Sequence, residues 1–343
     1  MKARHAAARL ALLCTAWLSL TGQTPPPQAF IKNRSLTARI YLPDPVHGYY
    51  RGTRFDWSGQ IFSLRTLRHE YFGQWFERYD PLNHDSIMGP VEEFRTGNSA
   101  PGYDEAPAGG EFVRIGVGIL RKPANEPFQT FRTYEIVDPG VWRVRQGKTW
   151  VDFQHSIRPA NGYAYVYRKT VRLVKQQPKM EIEHTLLNTG MKTIETLQYN
   201  HNFFVIDGLP AGPGVHVEFP FDLEPVRPFS ADFVRNAGKR IEIVGEIPEG
   251  ASAIGEFRGF SADPRDYDIR VEHAAAGAGV RIRGSLPLER LVFWCMRRTF
   301  CPEPYVKLTV PPGRRVSWKL TYEFYDLQPP AGKDGKRGGG GTR

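Results

Sequence analysis

Two short stretches carry residues able to move protons. The first, QYNHNFFVIDG from Gln198 to Gly208, sets His201 between two asparagines and ahead of two phenylalanines. The second, RRTFCPEPYVKLTVPPG, holds Glu303 between Pro302 and Pro304. Each proline ring locks its own φ and restricts the residue before it, so the backbone of Glu303 is held from both sides. A rigidly placed carboxyl and an imidazole meet a definite chemical need. Opening a cyclic hemiacetal requires a base for the anomeric hydroxyl proton and an acid for the ring oxygen. Each residue also has an ordinary reading. His201 shares a strand face with Leu197, Tyr199 and Phe203, while Asn200 and Asn202 point the other way, which suits a packed histidine. Glu303 equally suits a surface loop stiffened by proline.

The elements that must position these groups read as strands. In RRVSWKLTYEFYDL, Val316, Trp318, Leu320, Tyr322 and Phe324 share one face, and Ser317, Lys319, Thr321 and Glu323 the other. Similar alternation runs through GYAYVYRKTVRLV, KMEIEHTLLNTG, TIETLQYNHNFFVID and LERLVFWCMRR. NTG after EIEHTLL and PPG before RRVSWKL supply turns between neighbouring strands. No linker or repeat interrupts residues 30–326, so one domain is expected, all-β, with antiparallel sheets packed face to face as a sandwich. YYRGTRFDWSGQIFSLRT, with Gly52 and Gly59 flanking a short strand, is expected to form a hairpin. The polar, turn-rich stretch from Arg78 to Ala108 is expected to be a long loop over the sheets, where sites tend to be built.

The segment EIEHTLLNTGMKTIETLQYNHNFFVIDG and the later FCPEPYVKLTVPPGRRVSWKLTYEFYD together resemble the galactose mutarotase (aldose 1-epimerase) superfamily. Its members carry a catalytic histidine in an N-H-x-x-F strand and a catalytic glutamate in a late C-x-E-P segment. The likeness runs from about Tyr49 to Tyr325. It implies a β-supersandwich holding a monosaccharide or sugar derivative on a concave face, with His201 as acid on the ring oxygen and Glu303 as base on the anomeric hydroxyl. Interconversion of α and β anomers would follow, with no cofactor or metal. The family's L-H-G-G segment, source of a second histidine, is absent; NHDSIMGPVEEFR stands in its place, where His84, Glu92 or Glu93 could substitute. Arg54 in RGTRFDW and Arg95 are candidates for the family's substrate-binding arginine, and Asp266 and Asp268 for its aspartate. The candidate sugar contacts are Arg54, His84, Glu93, Asn200 and Trp294. A non-catalytic carbohydrate-binding protein on the same sandwich is the alternative.

Composition narrows the remaining classes. The 343 residues carry a formal charge of +10, but part of it lies at the two ends and the rest alternates with acidic residues along strands, which argues against nucleic acid as a partner. Aromatic residues, 13% of the chain, suit a site that stacks on sugar rings. Residues 1–22, with a basic start and an apolar run from Leu10 to Leu20, have the layout of a secretory signal. Their removal implies a secreted or periplasmic protein with no stable membrane insertion; an uncleaved anchor is the other reading. Residues 23–29 read as a Pro-rich linker and 327–343 as a disordered Gly- and Lys-rich tail. Cys295 and Cys301 could form a disulfide or remain two buried thiols. His155, His184 and His216 stand singly without metal-ligand spacing, HEYFG at His69 lacks a second histidine, and neither a G-x-S-x-G elbow nor a phosphate loop is present.

Overall fold

Alternation of apolar and polar residues becomes alternation of buried and exposed faces along most strands of the computed structural model, which describes residues 25–328. The expected signal segment, 1–22, and nearly all of the expected tail lie outside the described residues. In chain order, β1 (Gln28–Lys32), β2 (Thr37–Tyr41) and β3 (Gln60–Arg65) form a small meander. β4 (Gly89–Arg95) follows, then a second small sheet of β5 (Glu111–Arg114), β6 (Gly118–Arg121) and β7 (Ile136–Asp138). Next come β8 (Val141–Gln146), β9 (Trp150–Ser156), β10 (Tyr165–Leu173), β11 (Lys179–Asn188) and β12 (Ile194–Phe203). The chain continues through β13 (Val215–Glu218), β14 (Glu224–Arg227), β15 (Val234–Ala237), β16 (Arg240–Ile243), β17 (Ser252–Arg258), β18 (Asp268–His273) and β19 (Ala278–Gly284). It closes with β20 (Arg290–Met296), β21 (Thr299–Val310) and β22 (Arg315–Asp326).

Two large antiparallel sheets result. One has ten strands in the order β15-β16-β13-β18-β19-β22-β11-β10-β9-β8, and the other six in the order β14-β17-β20-β21-β12-β4. Their facing sides enclose the main apolar core, where Phe94 of β4 meets Tyr167 of β10 edge to face at 5.4 Å. Trp318, Leu320, Tyr322 and Phe324 of β22 are buried there, as their parity predicts. The NTG and PPG turns form as expected. Asn188 accepts from the Gly190 N–H at 2.9 Å, and Gly313 takes the positive φ of 71° that its turn needs. Among the described residues the one helical element is a 3-10 turn, Pro264–Asp266, and no helix is long and apolar enough to cross a membrane.

Four expectations need correction or resolution. β1 begins at Gln28, inside the stretch read as a linker, because Ala29 is buried and the backbone pairs with β2. The expected hairpin at Tyr49–Thr66 is absent: only β3 is a strand, and it pairs with β2. Residues 49–59 instead form a buried irregular segment in which Trp57 donates to the Gly52 carbonyl at 2.8 Å and Asp56 caps the Ser58 N–H at 2.9 Å. The stretch from Arg78 to Ala108 is broken by β4, almost wholly buried despite its two glutamates. Both cysteines are free and buried. Cys301 lies opposite Trp294 and Cys295 opposite Phe300, so the thiols sit in two different apolar clusters.

Between the large sheets lies a charged group that explains half of β4. Glu92, Asp56 and Lys169 have no exposed side-chain surface, and Lys169 pairs with Glu92, lies 3.7 Å from Asp56 and donates to the Ser58 carbonyl at 2.8 Å. Glu92 also meets His184 Nε2 at 2.9 Å and accepts from Asn200 Nδ2 at 2.9 Å. Burial alone would raise the Glu92 carboxyl, yet Lys169 and His184 hold it at about 2. Replacing Lys169 by Met leaves two carboxylates buried without their cation. The variant is expected to lose about 3 to 5 kcal/mol of unfolding free energy in a urea titration at pH 7. A loss below about 1 kcal/mol would show that the two sheets do not depend on this pair.

Candidate active site

The neighbouring strands β12 and β21 part company in the middle. Their pairing runs from Ile194↔Val310 to Tyr199↔Tyr305, stops, and returns only as an isolated bridge between Phe204 and Phe300. On its other edge β21 stays paired to β20 from Thr299 to Tyr305. Residues on alternate positions of a strand address the same edge, so Pro302 and Pro304 withhold their donors from the side where pairing has lapsed. Asn202 fills the gap. Its Nδ2 donates to the Asn200 carbonyl at 3.1 Å and the Pro302 carbonyl at 2.8 Å, while Oδ1 accepts from the Tyr322 hydroxyl at 2.8 Å.

On the other side of this opening His201 and Glu303 meet. His201 Nε2 lies 3.2 Å from Glu303 Oε1, each side chain only a few per cent exposed at the floor of a cavity of about 350 Å³. The imidazole stacks on Phe203 at 3.9 Å and meets Trp294 edge-on at 5.8 Å. Burial, with the Arg54 charge adding to it, pushes the imidazole well below its ordinary range. Burial also lifts the Glu303 carboxyl to about 7 against the pull of Arg54, and Tyr305 donates to its Oε2 at 3.3 Å. Nδ1 of His201 is buried with no hydrogen-bond partner.

Arg54 forms one wall. It comes from the irregular segment, which Arg114 ties down by donating to the Thr53 carbonyl at 3.2 Å and the Phe94 carbonyl at 3.0 Å. The Arg54 guanidinium lies over Phe55 at 4.3 Å, donates from Nε to Glu93 at 2.9 Å and from Nη1 to Asp85 at 2.6 Å, and reaches the Tyr199 hydroxyl at 3.3 Å. That hydroxyl donates to Glu93 at 2.5 Å. Burial would raise the Glu93 carboxyl, but Arg54 and Arg114 override it and hold it at about 2. This accounts for the other half of β4. Glu92 faces cations in the core, Glu93 faces cations at the site.

The expected contacts sort accordingly. Arg54 and Trp294 line the cavity; Glu93 stands one layer back and holds Arg54. His84 is outside the lining and binds Asp85 at 3.0 Å, so it bears on the site through that aspartate. Asn200 is a correction: alternation turns it to the core, where Glu92 and Gln198 occupy it. Asp266 and Asp268 are also displaced. Asp266 accepts from Ser261 in an exposed turn and Asp268 pairs with Arg281, whereas the aspartate at the cavity is Asp85. Tyr305, Arg227 and Arg290 line the cavity too, and only the row parity of their strands could have placed them there. Among the described residues no cluster of three His, Cys, Asp or Glu could hold a metal ion.

Burying an ionised Glu303 opposes folding. Its folded value of about 7 lies above its unfolded value of 4.5, so the penalty is absent below pH 4.5 and complete above pH 7. Glu303→Gln is therefore expected to be more stable than the parent by about 3 kcal/mol at pH 8 and no more stable at pH 4, measured by denaturant titration. Equal stability at both pH values would place Glu303 in an ordinary, solvated setting.

No protein-family model and no curated protein sequence matches the chain. Solved structures do. The Slr1438 protein of Synechocystis superposes with a TM-score of 0.54 at 13% identity, covering 88% of this chain and 97% of that one. A galactose mutarotase related enzyme of Lactobacillus acidophilus gives 0.53 at 11% identity, covering 88% and 100%. A galactose mutarotase-like protein of Lactobacillus casei gives 0.52 at 14% identity, covering 87% and 100%. With ten- and six-stranded antiparallel sheets around a shared core and these structures matched over nearly their whole length, the chain has the all-β galactose mutarotase-like fold.

Proposed function

We propose that the cavity opens and recloses the ring of a cyclic sugar, an aldose 1-epimerase type of reaction. The observation that carries this reading is the 3.2 Å approach of His201 Nε2 and Glu303 Oε1 at the cavity floor, beside an arginine and a tryptophan face. A carboxyl raised to about 7 and an imidazole held below its usual range together keep one proton between them near neutral pH. At rest both shifts favour the proton on Glu303, and the reaction starts from the tautomer in which it has crossed the 3.2 Å contact to the imidazole. Glu303 takes the proton of the anomeric hydroxyl as His201 gives its proton to the ring oxygen, and the bond between the anomeric carbon and that oxygen breaks. The product is the open-chain aldehyde. After rotation about the first carbon–carbon bond, the ring hydroxyl attacks the other face of the carbonyl. Its proton returns to His201, the one on Glu303 goes to the new anomeric hydroxyl, and the pair is restored.

Polarimetry of freshly dissolved α-sugar with purified protein tests the reading. His201→Ala and Glu303→Gln are each expected to slow mutarotation at least about a hundredfold. Wild-type rates in either variant would remove that residue from its role. Binding of sugar with no acceleration by the parent protein would support a carbohydrate-binding protein instead. The pH profile follows from the proton count. Above about pH 7 the pair loses its single proton and with it the acid, so the rate is expected to fall on the alkaline side. A rate still rising at pH 9 would contradict the shared proton.

A further inference from the structure

The outer wall of the cavity is charged in a way that a neutral sugar does not require. β14, β17, β20 and β21 lie side by side, and their register sets Arg227 opposite Glu256, Glu256 opposite Val292 and Val292 opposite Glu303. Arg227 thus lies three strand spacings of about 4.8 Å from the catalytic carboxyl, on the same sheet face and in the cavity lining. Among the described residues it has no ion-pair or side-chain hydrogen-bond partner, and it is exposed. Arg290, in the next row, lies over the Tyr305 ring at 5.2 Å and gives Nη2 to Glu256 at 2.6 Å, yet its Nε is buried without a partner. Arg95 also lines the cavity and reaches no carboxylate closer than Glu93 at 3.9 Å.

Counting the whole neighbourhood, Arg54, Arg95, Arg114, Arg227 and Arg290 face Asp85, Glu93, Glu256 and Glu303. One positive charge is left over when Glu303 is ionised. Two are left when it holds a proton. Arg54 and Arg114 are consumed by Glu93 and Asp85 and Arg290 is paired with Glu256, so the surplus falls to Arg95 at the β4 side and Arg227 at the β14 side, and of these Arg227 is the one with Arg290 beside it in the lining.

Resting on the sugar reading of this site, we infer that its substrate carries an anionic group, a carboxylate or a phosphate, at the end of the sugar remote from the anomeric carbon, received by Arg227 and Arg290. A guanidinium fork matches the oxygens of either group, and a hexose with the arginine side chain together span the distance from Glu303. The neutral part of the ring then lies along Trp294 and Val292.

Isothermal titration calorimetry at low salt with glucose, glucuronate and glucose 6-phosphate tests this without depending on turnover, and polarimetry with the same sugars tests the chemistry separately. At least one anionic sugar is expected to bind about tenfold or more tightly than glucose, with the advantage shrinking as salt is added. Whichever of the two binds tighter identifies the group. Arg227→Gln is expected to cut the preference about tenfold and Arg227→Lys to restore part of it. Glucose binding as well as both anions, or a preference unmoved in Arg227→Gln, would overturn the inference while leaving mutarotation standing. Anionic sugars that bind through Arg227 but are never turned over would leave the anion site standing and remove the acid–base reading.

Discussion

The interruption between β12 and β21 is the constraint on which the site depends. Sheet neighbours are ordinarily held about 4.8 Å apart by a continuous ladder. Such a ladder would stitch the backbones of residues 200–203 and 301–304 together. Two prolines deny it donors, and one asparagine side chain takes over the carbonyls left behind. The parting is anchored from below by Tyr322 of the opposite sheet through Asn202. His201 and Glu303 are thereby presented from two strands at hydrogen-bonding distance, each on rigid extended backbone, and positioning is built into the sheet rather than delegated to a loop.

Adjacent glutamates on β4 divide the electrostatics between two compartments. A strand sends neighbouring side chains to opposite faces, so Glu92 and Glu93 never share an environment. One neutralises Lys169 in the core, the other fixes Arg54 at the cavity, and both remain ionised because each meets a cation. Glu303, with no guanidinium in direct contact, is the carboxyl left free to rise toward neutrality. The contrast between Glu93 and Glu303 follows from counting the cations within reach of each. Removing Arg54 would disturb both, since it holds the first down and partly restrains the second.

Much of the fold was legible because period-two alternation is a local property. The faces of β22 and the parity that puts His201 with Tyr199 and Phe203 could be read from a dozen residues each. The prolines around Glu303 signalled a fixed backbone, although they serve to open a strand pair rather than to stiffen a surface loop. What could not be read were features settled by distant partners. Two consecutive glutamates look like a surface turn until Lys169 and Arg54 are known to face them. Residues 49–59 have the glycines of a hairpin, but Arg114 and Trp57 satisfy their carbonyls and no partner strand is needed. Asn200 stands beside the histidine in sequence, but strand parity sends it to the other face, toward Glu92 and Gln198. Asp85 carries no signal of its own in the sequence, because its significance lies in a bond to Arg54.

The strands at the open margins of the two sheets bear on how the molecule behaves among its own copies. Exposed main-chain donors and acceptors on such strands invite pairing between molecules. On β8 the outward positions include Arg143 and Arg145, on β15 Arg235, and on β14 Pro225 and Arg227. Arg145 and Arg235 are each paired with a carboxylate of the adjacent strand, whereas Arg143 and Arg227 carry unpaired charge among the described residues, and a proline removes one donor from β14. Part of the positive excess thus lies at the margins of the sheets, where unpaired charge opposes edge-to-edge pairing. High ionic strength screens Arg143 and so weakens this protection at the β8 margin, where Val141 is open to solvent.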